Sequence, residues 1–182
     1  TSIMYCSILL VFAFFHTCCC KEYKAVDELD LPKYMGKWYQ VYKDNFNKAF
    51  QGFGRCSTAD YSIVESNKVS VLNQQINKNN MYESIDGYAF YKDDDCCGYL
   101  TVKLDGAPQA AYWVLELGPV VDDLYDYSIV SDNIGLSLFV LTRNVDRFYK
   151  LYNDAVLVSL DEFGFNKEIN KPLVMNQTDC NL

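Results

Sequence analysis

Residues able to do chemistry are sparse in this chain, and their spacing suits binding better than catalysis. The only histidine, His16, sits inside an apolar N-terminal run, so the rest of the sequence offers no imidazole for a Ser-His-Asp or Cys-His relay. Carboxylates cluster at Asp93-Asp94-Asp95 and at Asp122-Asp123, but both clusters fall in turn-like stretches and read as solvated faces. The aspartate run lacks the ligand spacing of a calcium loop. No Cys-x-x-Cys pair is present for zinc, and no Gly-rich phosphate loop occurs. The vicinal Cys96-Cys97 could be redox-active, although a structural disulfide is the favoured reading in an exported chain. The expectation is therefore no catalytic residue, no metal, no cofactor and no enzymatic activity.

What remains are polar groups set among apolar ones. Along residues 68–76, Val69, Val71, Asn73 and Gln75 share one face of a strand candidate. Two amides on an apolar face suit the few orienting hydrogen bonds of a ligand pocket, or they bond backbone or water inside a filled interior. Trp38, in Gly36-Lys37-Trp38-Tyr39, and Arg143, which ends Phe139-Val140-Leu141-Thr142-Arg143-Asn144, lie far apart in sequence. A guanidinium over an indole face gains roughly 0.5–2 kcal/mol.

The elements that must position these groups are short strands. Candidates cover residues 38–42, 56–65, 68–76, 81–91, 98–104, 110–117, 125–130 and 135–142, separated by turn clusters such as Asn77-Lys78-Asn79-Asn80. Hairpin spacing of this kind predicts an antiparallel barrel or sandwich. After Arg143 the period changes: Val145, Phe148, Tyr149, Tyr152, Val156 and Leu160 recur at helical spacing, and Gly164 follows as a C-terminal glycine would. One helix over about 145–162 should lay its apolar stripe on the outer wall. A short strand at 173–175 and a tail to Cys180 complete the chain.

The 182 residues suit one domain. Residues 1–20 contain the run Ile8-Leu9-Leu10-Val11-Phe12-Ala13-Phe14-Phe15, too short to span a bilayer and suited to a cleaved signal peptide, which leaves 21–182 as the domain. The net charge of −8 belongs to that domain and argues against nucleic acid as a partner. Among aromatics, 15 tyrosines dominate, and tyrosine suits a cavity wall because it joins apolar area to one polar handle. Export makes disulfides the default state of the cysteines. Asn176-Gln177-Thr178 is an N-glycosylation acceptor.

The chain resembles the lipocalin family, and within it the apolipoprotein D, bacterial outer-membrane lipocalin and bilin-binding group. The resemblance rests on Lys33 to Tyr39, Gly54-Arg55-Cys56, Asp60-Tyr61-Ser62, Val71 to Gln75, Asp86 to Ala89, Tyr112 to Leu115 and Leu141 to Asn144. One family motif, Thr-Asp-Tyr, is replaced here by Asp122-Asp123-Leu124. The resemblance implies an all-β, eight-stranded up-and-down barrel with one C-terminal helix. It implies ligand-facing positions at Tyr61, Asn73, Leu104, Tyr112 and Phe139, to which strand parity adds Gln75 and Val114. Gly36, Trp38 and Arg143 would form the structural floor. Cys56 would pair with Cys180, and Cys20 with Cys96 or Cys97.

The function implied is extracellular binding and transport of a small hydrophobic ligand, such as a lipid, fatty acid, sterol or retinoid. A bilin or carotenoid carrier is the alternative, with a lipid-modifying enzyme or a ligand-free interaction protein behind it. Loops at 46–53, 92–97 and 106–108 are expected at the entrance, where Phe46, Phe50 and Phe53 could form a lid or a contact surface for lipoprotein or membrane.

Overall fold

The computed structural model describes residues 23–47, 52, 54–91 and 97–180. The expected signal segment with Cys20, the Phe50 and Phe53 positions, and Cys96 lie outside the described residues.

A one-turn helix, α1 (Leu31–Tyr34), leads into β1 (Gly36–Lys43), β2 (Arg55–Glu65), β3 (Lys68–Ile76), β4 (Tyr82–Phe90), β5 (Tyr99–Leu104) and β6 (Gln109–Leu117). A small hairpin, β7 (Val120–Val121) with β8 (Leu124–Tyr125), precedes β9 (Tyr127–Ser131) and β10 (Leu138–Thr142). Two helical segments follow, α2 (Val145–Leu151) and α3 (Asn153–Glu162), and then β11 (Leu173–Val174). Neighbours pair antiparallel from β1 through β6 to β9 and β10, and β10 pairs back onto β1, so the sheet closes on itself. Closure leaves no unpaired sheet edge. The fold is an eight-stranded antiparallel barrel with a C-terminal helix.

Alternation decides which side chains enter the barrel. The inner cluster gathers Trp38, Ala59, Tyr61, Val69, Val71, Ala89, Leu100, Val114, Val130 and Leu141 around the axis. A second cluster lies outside the wall, where Phe148, Val156 and Leu160 of the helices cover Val41, Tyr42, Ile129, Leu138 and Val140. Asn144 caps α2 by accepting from the Arg147 N–H at 2.9 Å. The helix is interrupted at Tyr152, whose φ of −119° departs from helical values, although bonds from Tyr152 N–H to Phe148 O and from Val156 N–H to Tyr152 O bridge the break. Gly164 takes φ of +86° and the Phe165 N–H returns to Leu160 O, which ends the element.

One sequence expectation changes. The strand expected over 125–130 is split at Asp126, which turns its backbone carbonyl to Arg143 N–H and its carboxylate to Arg147 (Nε to Oδ2, 2.7 Å). Asp122-Asp123, expected in a turn, forms a tight hairpin turn with φ of 51° and 64°, conformations aspartate tolerates well. Successive connections of an up-and-down barrel lie at opposite ends, so the β1–β2, β3–β4, β5–β6 and β9–β10 connections share the open end. Residues 92–96, expected at the mouth, lie outside the described residues, and β4 brings the chain to the closed end at Tyr91. There the Tyr91 N–H bonds Asn67 O in the β2–β3 turn.

The C-terminal tail forms part of the wall. β1 pairs with β2 only through Gly36–Tyr39, and beyond that point β11 adds to Tyr42 and Lys43. Cys56 N–H bonds Asn176 O at 2.8 Å, and the Gln177 side-chain amide donates to Gln40 O and Ser57 O. The tail thus fills the seam where β1 and β2 separate.

Candidate functional site: the barrel interior

The closed end is sealed by a stack built from three elements. Pro32 starts α1, and the Tyr34 carbonyl receives the Trp38 indole N–H at 2.8 Å. Trp38 has no accessible surface. Arg143 places its guanidinium carbon 3.6 Å from the indole ring centre. Its nitrogens donate to Lys37 O (2.9 Å), Tyr125 O (3.2 Å) and Lys33 O (3.3 Å). Burial lowers the guanidinium to about 10, and it stays charged at neutral pH. Gly36 enters β1 with φ of +86°, a conformation that costs a side-chain-bearing residue energy and that brings the backbone beneath Arg143.

Directly above this floor lies a chain of hydroxyls. Tyr34 Oη is 2.9 Å from Tyr112 Oη and 3.1 Å from Ser128 Oγ, and Tyr61 Oη is 3.1 Å from Tyr112 Oη. Burial pushes the phenols of Tyr34, Tyr61 and Tyr112 upward, so all three are neutral over the physiological range. Around them Val69, Val71, Ala89, Leu100, Val114 and Val130 are all buried.

Higher in the barrel the pattern differs. Asn73, Ile85, Val102, Leu104 and Phe139 face the axis yet keep accessible surface. Gly87 lets β4 approach β5 so closely that any Cβ would strike Leu104. Inward side chains are therefore buried below and partly accessible above.

The predicted site residues separate along this axis. Tyr61 and Tyr112 meet through their hydroxyls at the base. Asn73, Leu104 and Phe139 line the upper part. Gln75 stands at the rim, where its amide donates to Glu83 at 3.2 Å and, with Asn77, holds that exposed carboxyl below its usual range. Val114 is fully buried in the packed layer and offers no surface to a ligand.

Sequence reasoning missed Lys43. A bulge at Val41 lets Gln40 face Leu141 inside, Tyr42 face Val140 outside, and Lys43 face Phe139 inside. The Lys43 ammonium donates to Gly52 O at 3.0 Å, joining the wall to the β1–β2 connection. Only the strand register reveals this, because a bulge inverts the parity of every residue beyond it.

Cys56 and Cys180 are joined, with Cα atoms 5.5 Å apart. Cys97 forms no disulfide with another described residue, and its expected partner Cys20 lies outside the described residues. Val26 bonds Val114 O and Gly98 N–H, and Tyr23 then lies against Gly135 and Phe165, so the chain at Tyr23 runs towards the β9–β10 turn. Outside the barrel, a hollow of about 570 Å³ near the closed end is bordered by Glu28, Asp30 and Glu116. Its Asp30 is already paired with Lys33, and Val26, Leu117 and Val120 also border it.

A lipocalin-like domain model matches residues 29–167. The chain is a lipocalin. Apolipoprotein D of Cavia porcellus is 35% identical over 104 residues, covering 56% of this chain and 52% of the relative. Apolipoprotein D of Macaca fascicularis is 32% identical over 135 residues, covering 69% and 66%. The matched stretches thus span between about half and two thirds of those curated relatives. Lobster apocrustacyanin A1 superposes with a TM-score of 0.58 at 17% identity, covering 82% of this chain and 81% of that structure, a likeness of fold.

The entrance of this lipocalin holds one buried acid. Asp44 is fully buried at the end of β1, and its Oδ1 accepts the Asn47 N–H at 2.6 Å, while Oδ2 has no hydrogen-bond partner among the described residues. Desolvation raises its carboxyl to about 6. The folded state therefore holds this proton more tightly than the unfolded chain, whose aspartate titrates near pH ~4. The sign is unfavourable to charge: this group's stabilising contribution is full below pH ~4 and is lost as pH rises to about 6. Asp44→Asn keeps the cap oxygen and removes the charge. Its stability relative to the parent protein should rise by about 2–3 kcal/mol between pH ~4 and ~7 in denaturant titrations. A difference independent of pH would contradict a buried, charged Asp44.

Proposed function

We propose that this lipocalin binds and carries a small apolar molecule in the upper half of its barrel, outside the cell. The observation that carries the reading is the division of the interior: a floor closed by Trp38 and Arg143, and above it inward side chains that keep accessible surface. Apolar area removed from water contributes about 25 cal/mol per Å², before association costs are subtracted. Asn73, Leu104, Tyr112 and Phe139 are the proposed ligand contacts, with Tyr61 supporting Tyr112. Gln75 belongs to the entrance.

Several features support export. The Cys56–Cys180 disulfide suits an oxidising compartment. The apolar run at 8–15 suits a signal peptide. Asn176, exposed on the tail with its side chain accepting the Thr178 N–H, is a proposed glycosylation site. A binding protein rather than an enzyme is supported by the walls themselves, whose described inward groups are apolar, amide, hydroxyl, phenol, guanidinium and ammonium.

Organic extraction of protein from its source, followed by mass spectrometry, should yield a bound apolar molecule. Recombinant protein should enhance the fluorescence of N-phenyl-1-naphthylamine, a neutral apolar probe. Phe139→Asp should weaken that probe by about 10-fold or more, because the carboxylate must be desolvated in the chamber. An empty extract together with no probe enhancement by the parent protein would sink the carrier reading.

A further inference from the structure

We infer that Tyr112 presents its phenol hydrogen to the ligand chamber and selects ligands carrying a hydrogen-bond acceptor, such as a carbonyl oxygen, at the end that reaches the barrel base. This rests on the carrier reading above and specifies the chemistry of the same chamber.

The argument is a count of hydrogens. Four hydroxyls, Ser128, Tyr34, Tyr112 and Tyr61, form one linear chain in that order through three oxygen–oxygen contacts of 3.1, 2.9 and 3.1 Å. Each contact consumes one hydrogen, and each hydroxyl supplies one. One hydrogen is left over, and it must reside on one of the four groups. Leaving it on Ser128, Tyr34 or Tyr61 strands a donor on a residue that is 0%, 3% or 6% exposed. A buried donor without a partner is costly. Tyr112 alone of the four keeps appreciable accessible surface, on the inner face of β6 opposite Leu100.

One arrangement puts the spare hydrogen on the member of the chain whose residue is least buried. Ser128 donates to Tyr34, Tyr34 donates to Tyr112, Tyr61 donates to Tyr112, and Tyr112 points its own hydrogen into the chamber. The phenols stay protonated because burial holds them above their usual range. Above Tyr112 the walls supply Leu104, Val102 and Phe139. The complementary ligand is an apolar body ending in an oxygen that accepts but need not donate.

The test uses displacement of N-phenyl-1-naphthylamine by 2-undecanone and by undecane, which differ in the carbonyl. The parent protein should prefer the ketone, and Tyr112→Phe should reduce that preference about 2- to 10-fold by weakening ketone binding more than undecane binding. Infrared spectra of 2-undecanone bound to the parent protein supply a readout that needs no variant: its carbonyl stretch should be red-shifted relative to the ketone in hexane. An unshifted stretch, or a ketone-to-alkane ratio unaltered by Tyr112→Phe, overturns the inference and leaves the carrier reading standing. Failure of both probes to bind the parent protein overturns the carrier reading itself.

Discussion

Arg143→Ala should lower the free energy of unfolding by about 3–5 kcal/mol while leaving probe affinity within about 2-fold at temperatures where the variant is folded. The stacking over Trp38 contributes roughly 1–2 kcal/mol in so desolvated a setting. Three charge-assisted bonds to Lys33, Lys37 and Tyr125 carbonyls disappear with it, and those acceptors come from α1, β1 and β8, the pieces that close the base. Because the guanidinium lies beneath the buried hydroxyl layer, the chamber above keeps its lining. Denaturant unfolding and probe titration on the same preparation separate the two quantities. Unchanged stability with lost binding would mean that Arg143 belongs to the ligand site and not to the floor.

Removing the disulfide with Cys56→Ser and Cys180→Ser together should cost about 2–5 kcal/mol. The bond closes a loop across a sequence separation of 124. It also pins the tail that supplies partners to Cys56 N–H, Gln40 O and Ser57 O in the seam between β1 and β2. Hydrogen exchange in the variant should therefore be faster at the amides of position 56 and Met175 than in the strands on the far side of the barrel. Equal protection across the barrel would assign the loss to the unfolded chain alone.

Much of the frame was legible in the sequence because local rules set it. Two-residue alternation marks strands whether or not their neighbours are known, and the change to helical spacing at Val145 marks the helix. The glycine, tryptophan and arginine of the floor were readable because few folds place those groups together at the two ends of a strand series. Cys56 and Cys180 were readable through the same family likeness.

Other features depended on contacts no local rule contains. The bulge at Val41 turns Lys43 inward, and alternation read along β1 alone points the other way. Tyr34 comes from a one-turn helix outside the strands, so its bond to Tyr112 and Ser128 exists only once α1 is folded across the base. The end of the barrel at which β4 finishes follows from counting strands in a closed sheet. The amino-acid order by itself thus determined the element types, which arise from periodicity, and the lipocalin resemblance pointed to the pairing of an indole with a guanidinium. Tertiary structure decided the register, the direction of each polar group and the line between packed base and open chamber, because those depend on which atoms meet across the barrel.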